Sequence, residues 1–171
     1  IVVGQGLAGT ILTYRLQSEG KVVLVIDKHR EVTSSKVAPG AYNPMVLKRF
    51  TPCWNVYEQL EPLYSFISDF EQKFQVTIHE PIKLHRLFKS VLEQNLWMEK
   101  SEKKSLSAFM NPNFIPNTNK FIEADYGFGE VKHSGRVKLA KMISTFKEHL
   151  VKQDCLLDQD FDFSVLSYSD D

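Results

Sequence analysis

The stretch that decides the fold is Ile1–Asp27, IVVGQGLAGTILTYRLQSEGKVVLVID. It opens on an apolar run, turns at the GQG of positions 4–6, and continues with apolar residues at three- and four-residue steps up to Gly20. A second apolar run follows without polar alternation, which is typical of a strand buried on both faces of a parallel sheet. The stretch predicts three elements: a strand Ile1–Val3, a helix Leu7–Glu19 and a strand Val22–Ile26.

The predicted helix has one apolar face, which we expect to pack on the sheet. Its members are Leu7, Ala8, Ile11, Leu12 and Leu16. Strand, helix and strand within 27 residues form a βαβ unit, which is right-handed in nearly all proteins.

The glycines of the turn have the spacing GxGxxG, and their position between a strand and a helix is what a dinucleotide-binding motif requires. Gly4 permits the tight turn, Gly6 lets a pyrophosphate approach the backbone, and Gly9 lets the helix press against the strand. The N–H groups of Leu7 and Ala8 at the helix start would face the anion.

Asp27 stands at the tip of the second predicted strand, followed by Lys28. A carboxylate at this place accepts hydrogen bonds from an adenosine ribose and repels a 2′-phosphate, which disfavours NADP. The alternative interpretation is plain turn chemistry at the glycines and a solvated charge at Asp27.

The remainder of the chain shows weaker patterns. Positions 33–52 lack helix and strand signals, and a helix Trp54–Phe74 should be kinked or interrupted at Pro62. Further predicted elements are strands Val76–His79 and Leu84–Phe88, an amphipathic piece Ser90–Lys100, a loop Asn111–Asn119, a meander Phe121–Ala124 and Phe128–Lys132, a helix Val137–Leu150 and a third parallel strand Cys155–Leu157. The predicted fold class is α/β, a partial Rossmann-like FAD/NAD(P)-binding domain (1–52 and 135–171) with an inserted α+β substrate lobe (53–134).

Composition excludes several classes of protein. Hydrophobic residues make up 43% and charged residues 25%, as in ordinary globular domains, and 21 basic residues balance 21 acidic ones. We therefore expect no nucleic-acid partner and no membrane association. Two cysteines without a CxxC pair indicate a reduced, cytoplasmic protein, and the five histidines lack metal-ligand spacing.

Three segments, IVVGQGLAG, VVLVIDKH and SSKVAPGAYNP, together resemble the FAD-dependent oxidoreductases of the D-amino-acid oxidase and glycine oxidase superfamily. The resemblance covers residues 1–45 and, more loosely, 120–165. It implies FAD as the cofactor, bound by Gly4, Gly6, Leu7, Ala8, Gly9, Asp27, Lys28, Ser34, Ser35, Ala38, Pro39, Gly40 and Phe161. In such proteins a Ser/Thr-rich turn meets the pyrophosphate, which corresponds to Ser34 and Ser35 here. Phe161 would lie near the adenine.

The sequence departs from the family pattern at two of these positions. Pro39 replaces a small residue and removes one N–H donor, which puts that contact in doubt. Asp27 stands where the family more often has Glu, with the same chemistry and a shorter reach.

The resemblance implies oxidation of an amine or amino-acid-like substrate by hydride transfer to the flavin. No catalytic residue can be assigned, although Lys48 and Arg49 could hold a substrate carboxylate or form a solvated pair. Alternatives are a non-catalytic dinucleotide-binding or interaction module and an NAD-dependent dehydrogenase. The chain resembles the N-terminal half of such an enzyme, so we expect it to be inactive as given and able to form a homodimer.

Overall fold

The computed structural model describes residues 1–28, 30 and 32–165 of the 171-residue chain. Its elements, in chain order, are β1 (Val2–Val3), α1 (Leu7–Ser18), β2 (Val25–Ile26), α2 (Ser34–Val37), β3 (Ala41–Tyr42), β4 (Met45–Val46), β5 (Thr51–Pro52), α3 (Val56–Phe74), β6 (His79–Pro81), β7 (Leu84–Leu87), α4 (Val91–Ser101), β8 (Met110–Ile115), β9 (Phe128–Val131), β10 (Gly135–Val137), α5 (Leu139–Lys152) and β11 (Leu156–Leu157), followed by a 3₁₀ turn at Phe163–Val165. This mixture of helices and strands is an α/β architecture.

The chain divides into two compact units. The first contains Ile1–Pro39 and the segment from Lys138 onward, and the second is the continuous segment Gly40–Val137. The division falls after Pro39 and not after Pro52, because positions 40–52 fold with the second unit.

The first unit contains a three-stranded parallel sheet in the order β1-β2-β11. Val2 pairs with Val25, and Leu156 pairs with Val25 from the other side. Backbone bonds extend the ladder: the N–H of Asp27 donates to the carbonyl of Leu157 at 3.0 Å. The predicted third parallel strand is therefore confirmed.

The strands of this sheet are shorter than the apolar runs that predicted them. Val25 and Ile26 are buried, whereas Val22 is 101% exposed and lies before the paired residues. Ile1 is 82% exposed and lies outside β1. The prediction of strands buried on both faces is wrong at these ends, because burial follows pairing with both neighbours and not hydrophobicity alone.

Helix α1 forms where predicted but packs through a different face. Its buried residues are Thr10, Thr13 and Tyr14, while Ala8 and Leu12 are exposed. Gly9 fixes this orientation, since a β-carbon there would contact a Val2 methyl group of β1 at 3.6 Å. The side of the helix that carries Gly9 and Thr13, four residues apart, thus faces the sheet.

Helix α5 is confirmed, shifted by two residues at each end relative to the prediction. It buries an apolar stripe at helical spacing: Leu139, Met142, Ile143, Phe146 and Leu150. Its first residue follows Lys138, because Val137 belongs to strand β10.

The second unit is built from antiparallel pairs. One sheet has the order β3-β10-β6, another the order β7-β9-β8, and β4 pairs with β5. A core cluster packs within it, formed by Met45, Phe50, Val56, Phe88, Trp97, Leu106, Phe109, Met110 and Val131.

Three sequence-based expectations are wrong between positions 33 and 124. Positions 33–52 are not free of regular structure, since α2, β3, β4 and β5 lie there. The predicted loop Asn111–Asn119 contains most of β8, an edge strand with an irregular register, which is where Pro112 is tolerated. Phe121–Ala124 forms no strand.

Helix α3 is continuous from Val56 to Phe74 with Pro62 inside it, so the expected interruption is also wrong. Pro62 is exposed, where the one carbonyl that loses its partner can face water. Among the described residues, no helix combines the length and the apolar character needed to cross a bilayer.

Candidate functional site

The turn after β1 leaves open space where its first glycine stands. Gly4 has φ of +93°, a backbone conformation that favours glycine, and its N–H donates to the carbonyl of Ile26 at 2.8 Å. A β-carbon built on Gly4 would find no heavy atom within 4 Å. The turn is thus anchored to β2 and accessible from outside.

Gly9 has the opposite environment. A β-carbon there would overlap the carbonyl oxygen of Gly4. The first turn of α1 lies directly against the backbone of the glycine turn, so Gly9 is required by packing and not by a ligand.

Ser35 completes the start of α1. Its Oγ accepts a hydrogen bond from the N–H of Leu7 at 3.1 Å. A β-carbon on Gly6 would lie 3.1 Å from the same oxygen. Because that oxygen acts as the acceptor for Leu7, the hydroxyl hydrogen can donate to an anion placed at the helix start.

The one-turn helix α2 holds Ser35 in place. Thr33 caps it, accepting the N–H of Lys36 at 3.3 Å through its side chain. Sequence reasoning missed this helix, although Thr33 is a typical N-cap residue.

Asp27 is tied to the glycine turn. Its Oδ1 accepts the N–H of Gln5 at 2.9 Å, which places the carboxylate beside the turn rather than in bulk solvent. A carboxylate has further acceptor positions on both oxygens, so this bond leaves capacity for ribose hydroxyls.

Gln5 is a site residue that sequence reasoning missed, because the middle position of GxG carries no signal. Its side chain is only 4% exposed and donates to Thr10 Oγ1 at 3.0 Å and to the carbonyl of Ile143 at 3.1 Å. Gln5 therefore fastens the turn to both α1 and α5.

An open groove of about 360 Å³ runs past the carboxyl ends of β1 and β2. It brings together four of the predicted site residues, Gly4, Asp27, Lys28 and Phe161. Phe161 is half-buried, and its ring meets Phe163 edge-on with centroids 4.8 Å apart. An aromatic wall, a carboxylate and an accessible glycine thus share one groove.

A smaller cavity adjoins Gly6 and Asp27 and is lined by basic residues that the sequence did not indicate, among them Arg30 and Lys36. Arg30 lies 3.6 Å from Asp160, but both side chains are at least 70% exposed, so this pair adds little stability. The basic side chains and the positive end of α1 favour an anion here.

The remaining predicted residues lie further from the turn or at its margin. Ala8 is exposed in the first turn of α1, Ser34 is exposed at the start of α2, and Ala38 and Pro39 are exposed after it. Gly40 belongs to the second unit, where its carbonyl accepts the N–H of Val137 at 3.0 Å.

Lys48 and Arg49 are exposed in the turn between β4 and β5. Across the part of the chain that the structure describes, no three His, Cys, Asp or Glu side chains are grouped so that they could hold a metal ion.

No family model matches the chain. Among solved structures, the fold is similar to glycine oxidase from Bacillus cereus ATCC 14579, with a TM-score of 0.60 and 13% sequence identity. The similarity covers 91% of this chain and 45% of that chain, so the protein spans less than half the length of the structure it resembles.

Proposed function

We propose that the first unit is a Rossmann-like domain that binds FAD, in a protein that oxidises an amine or amino-acid-like substrate. The observation that carries the proposal is the joint arrangement of an accessible Gly4, the Ser35 hydroxyl on the Leu7 amide, and Asp27 hydrogen-bonded to the same turn. The parallel order β1-β2-β11 supports it, because dinucleotide domains place consecutive strands in the same way.

The described residues fit the nucleotide half of FAD. Gly4 leaves a cradle that a side chain would fill, and the start of α1 offers N–H groups and a positive dipole end to a pyrophosphate. Asp27 offers carboxylate oxygen to a ribose, and Phe161 offers an apolar ring to an adenine in the same groove. Ser34, Ala38, Pro39 and Gly40 stay predictions of the resemblance.

When bound, FAD supplies the hydride acceptor for oxidation of the substrate. The residues of the chain contribute binding and orientation. Ser35, held by the Leu7 amide, can donate its hydroxyl hydrogen to the anion, and Gln5 holds the turn in place through α1 and α5. The fold similarity to glycine oxidase favours an amine or amino acid as the substrate class and an oxidoreductase as the type of enzyme.

Nucleotide titration tests the proposal. ADP, FAD and NAD are titrated into the purified protein and into Asp27→Asn, with Glu19→Gln at the far end of α1 as a charge-matched control. We expect ADP and FAD to bind, Asp27→Asn to weaken both by roughly 1.5–3 kcal/mol, and Glu19→Gln to leave both unchanged.

The titration also separates the alternatives. Tighter binding of NAD than of FAD would favour a dehydrogenase. Binding of ADP without measurable binding of FAD would favour a non-catalytic nucleotide-binding module. Absence of ADP binding would refute the assignment of the turn.

A further inference from the structure

A pocket of about 280 Å³ with aromatic and polar walls lies within the second unit. One wall comes from β8 and the residues after it, a second from Gln94 of α4, and a third from the turn before β9. All of its lining residues belong to this unit. We call it the α4–β8 pocket.

The turn Ala124–Gly127 fixes the position of the third wall. The N–H of Gly127 donates to the carbonyl of Ala124 at 2.9 Å, and Ala124 is buried. Gly127 has φ of +66°, and a β-carbon there would overlap the carbonyl oxygen of Ile115. The turn is therefore pressed against the end of β8, which brings its two central residues into the wall of the pocket.

The charge of the α4–β8 pocket favours a cation. Among its lining residues, all of which lie in the described part of the chain, Asp125 is the only one with a charged side chain. Glu123, two residues earlier, is exposed and adds a second negative charge to the same segment. The ammonium group of Lys120 lies 5.3 Å from the centroid of the Phe121 ring, and neither of these residues lines the pocket. The charge carried by the lining is therefore negative.

Two aromatic rings line the same pocket. Phe114 is 47% exposed and Tyr126 is 37% exposed, so part of each side chain is accessible to a ligand. The face of an aromatic ring is negative and attracts a cation, most strongly a cation that is weakly hydrated. A carboxylate and two accessible rings are together suited to an organic cation.

The amide side chains of the pocket already have backbone partners. Gln94 Nε2 donates to the carbonyl of Tyr126 at 2.5 Å, and Asn117 Nδ2 donates to the carbonyl of Ile122 at 2.6 Å. Asn117 Oδ1 accepts the N–H of Asn119 at 2.9 Å. A primary ammonium is strongly hydrated and has three N–H donors to satisfy, whereas a quaternary ammonium has none. The pocket therefore suits a quaternary ammonium better than a primary one.

We propose that the α4–β8 pocket binds a quaternary ammonium group, with Asp125 balancing its charge and the rings of Phe114 and Tyr126 contacting its methyl groups. The inference concerns the second unit alone and does not depend on the proposed function. Such a group occurs in choline-type compounds and in the trimethylated side chain of lysine, and the two present the same cation.

Titration with matched probes tests the proposal. Tetramethylammonium chloride, butylammonium chloride and neutral tert-butanol are added to the 171-residue chain at constant ionic strength, and the amide chemical shifts of Asp125, Tyr126 and Gly127 are followed by NMR. We expect tetramethylammonium to bind with a dissociation constant of about 1–10 mM, butylammonium to bind more weakly, and tert-butanol not to bind measurably. Absence of tetramethylammonium binding, or equal binding of either other probe, would overturn the proposal.

Substitutions assign the contacts. Asp125→Asn and Phe114→Leu, both at exposed positions, should each weaken tetramethylammonium binding about two- to fivefold, as expected for an exposed ion pair and an exposed cation–π contact. Glu123→Gln removes an equal charge outside the lining and should leave the affinity nearly unchanged. The dispersion of the amide shifts shows that each variant is folded. Equal effects of Asp125→Asn and Glu123→Gln would mean that only overall charge matters, and would overturn the site.

Two further probes distinguish the sources of the cation. Choline represents a free compound, and a short peptide with one trimethyllysine represents a modified protein partner. Tighter binding of choline would indicate a small molecule and tighter binding of the peptide a protein, and both results support the site. A peptide with unmodified lysine that binds as tightly as its trimethylated form would overturn the assignment to a quaternary ammonium.

Discussion

At the scale of single residues, the glycines of the first turn have different roles, although the sequence motif treats them alike. The α-carbon of Gly9 presses against the carbonyl of Gly4, whereas the α-carbon of Gly4 faces open space. One position is required by packing within the unit, and the other leaves room for a ligand. Substitutions at the two should therefore affect different quantities.

We expect Gly9→Ala to lower the free energy of unfolding by about 1–3 kcal/mol, because overpacking must displace backbone. Gly4→Ala should lower the free energy of unfolding by about 1–2 kcal/mol, because Gly4 has a positive φ. For a similar loss of stability, Gly4→Ala should weaken ADP binding much more than Gly9→Ala does. Urea unfolding and ADP titration measure the two effects. Equal stability of Gly9→Ala and the parent would contradict the contact with Gly4.

Ser35 and Ser34 are neighbours in the same helix turn, but only Ser35 is seen to meet the Leu7 amide. Ser35→Ala should leave that donor unsatisfied, lower stability by about 1 kcal/mol and weaken ADP about tenfold. Ser18→Ala, at an exposed position in the last turn of α1, is the control and should leave ADP binding unchanged. Similar losses of ADP affinity in both variants would mean that the Ser35 hydroxyl does not contribute to ADP binding.

At the scale of elements, α3 shows how tertiary packing overrides local preference. The helix continues through Pro62 because Phe66, Ile67 and Phe70 bury its later turns. Pro62 follows the first residue of the helix by six positions, so it lies in the interior, where the carbonyl of Glu58 loses its usual donor.

Replacing Pro62 by Ala should stabilise the protein. A proline in a helix interior destabilises the folded state by about 3 kcal/mol relative to alanine. Its removal also makes the unfolded chain more flexible, which opposes folding by about 1 kcal/mol, so the net gain in stability is about 2 kcal/mol. Denaturant unfolding measures the gain, with Glu61→Ala at the exposed neighbouring position as the control. A loss of stability in Pro62→Ala would show that the proline shapes the helix.

The sequence predicted the parallel strands, α1, α5 and the turn because each has a local signature of period or spacing. It did not predict the buried face of α1, since Thr10 and Thr13 are ranked as polar and the contact of Gly9 with β1 decides the orientation. The two-residue strands β3, β4 and β5 have no period of their own. Gln5 and Arg30 depend on contacts between residues distant in sequence, which no local pattern contains.

At the scale of the whole molecule, the groove past β1 and β2 contains residues that suit one end of the proposed dinucleotide. Gly4, Asp27, Lys28 and Phe161 could contact adenosine and pyrophosphate. The chain also corresponds to 45% of the glycine oxidase chain that it resembles. The affinity for FAD should accordingly come from contacts to the ADP half of the cofactor.

We therefore expect this chain to bind ADP and FAD with dissociation constants within about tenfold of each other, to retain no stoichiometric FAD on purification and to show no oxidase activity. A good ligand site buries roughly 70–90% of its ligand, and contacts to half of FAD fall short of that. Calorimetric titration and the visible spectrum of the purified chain provide the measurements. A yellow protein that binds FAD far more tightly than ADP would contradict the expectation.

The hydrogen bond from Val137 to Gly40 joins the first and last residues of the second unit. The two ends of this 98-residue segment are therefore adjacent. A segment with adjacent ends can change in length or sequence without moving the two points at which it joins the first unit. The second unit can thus change in length or sequence while the glycine turn stays the same, and a protein engineer could graft a different segment between Gly40 and Val137.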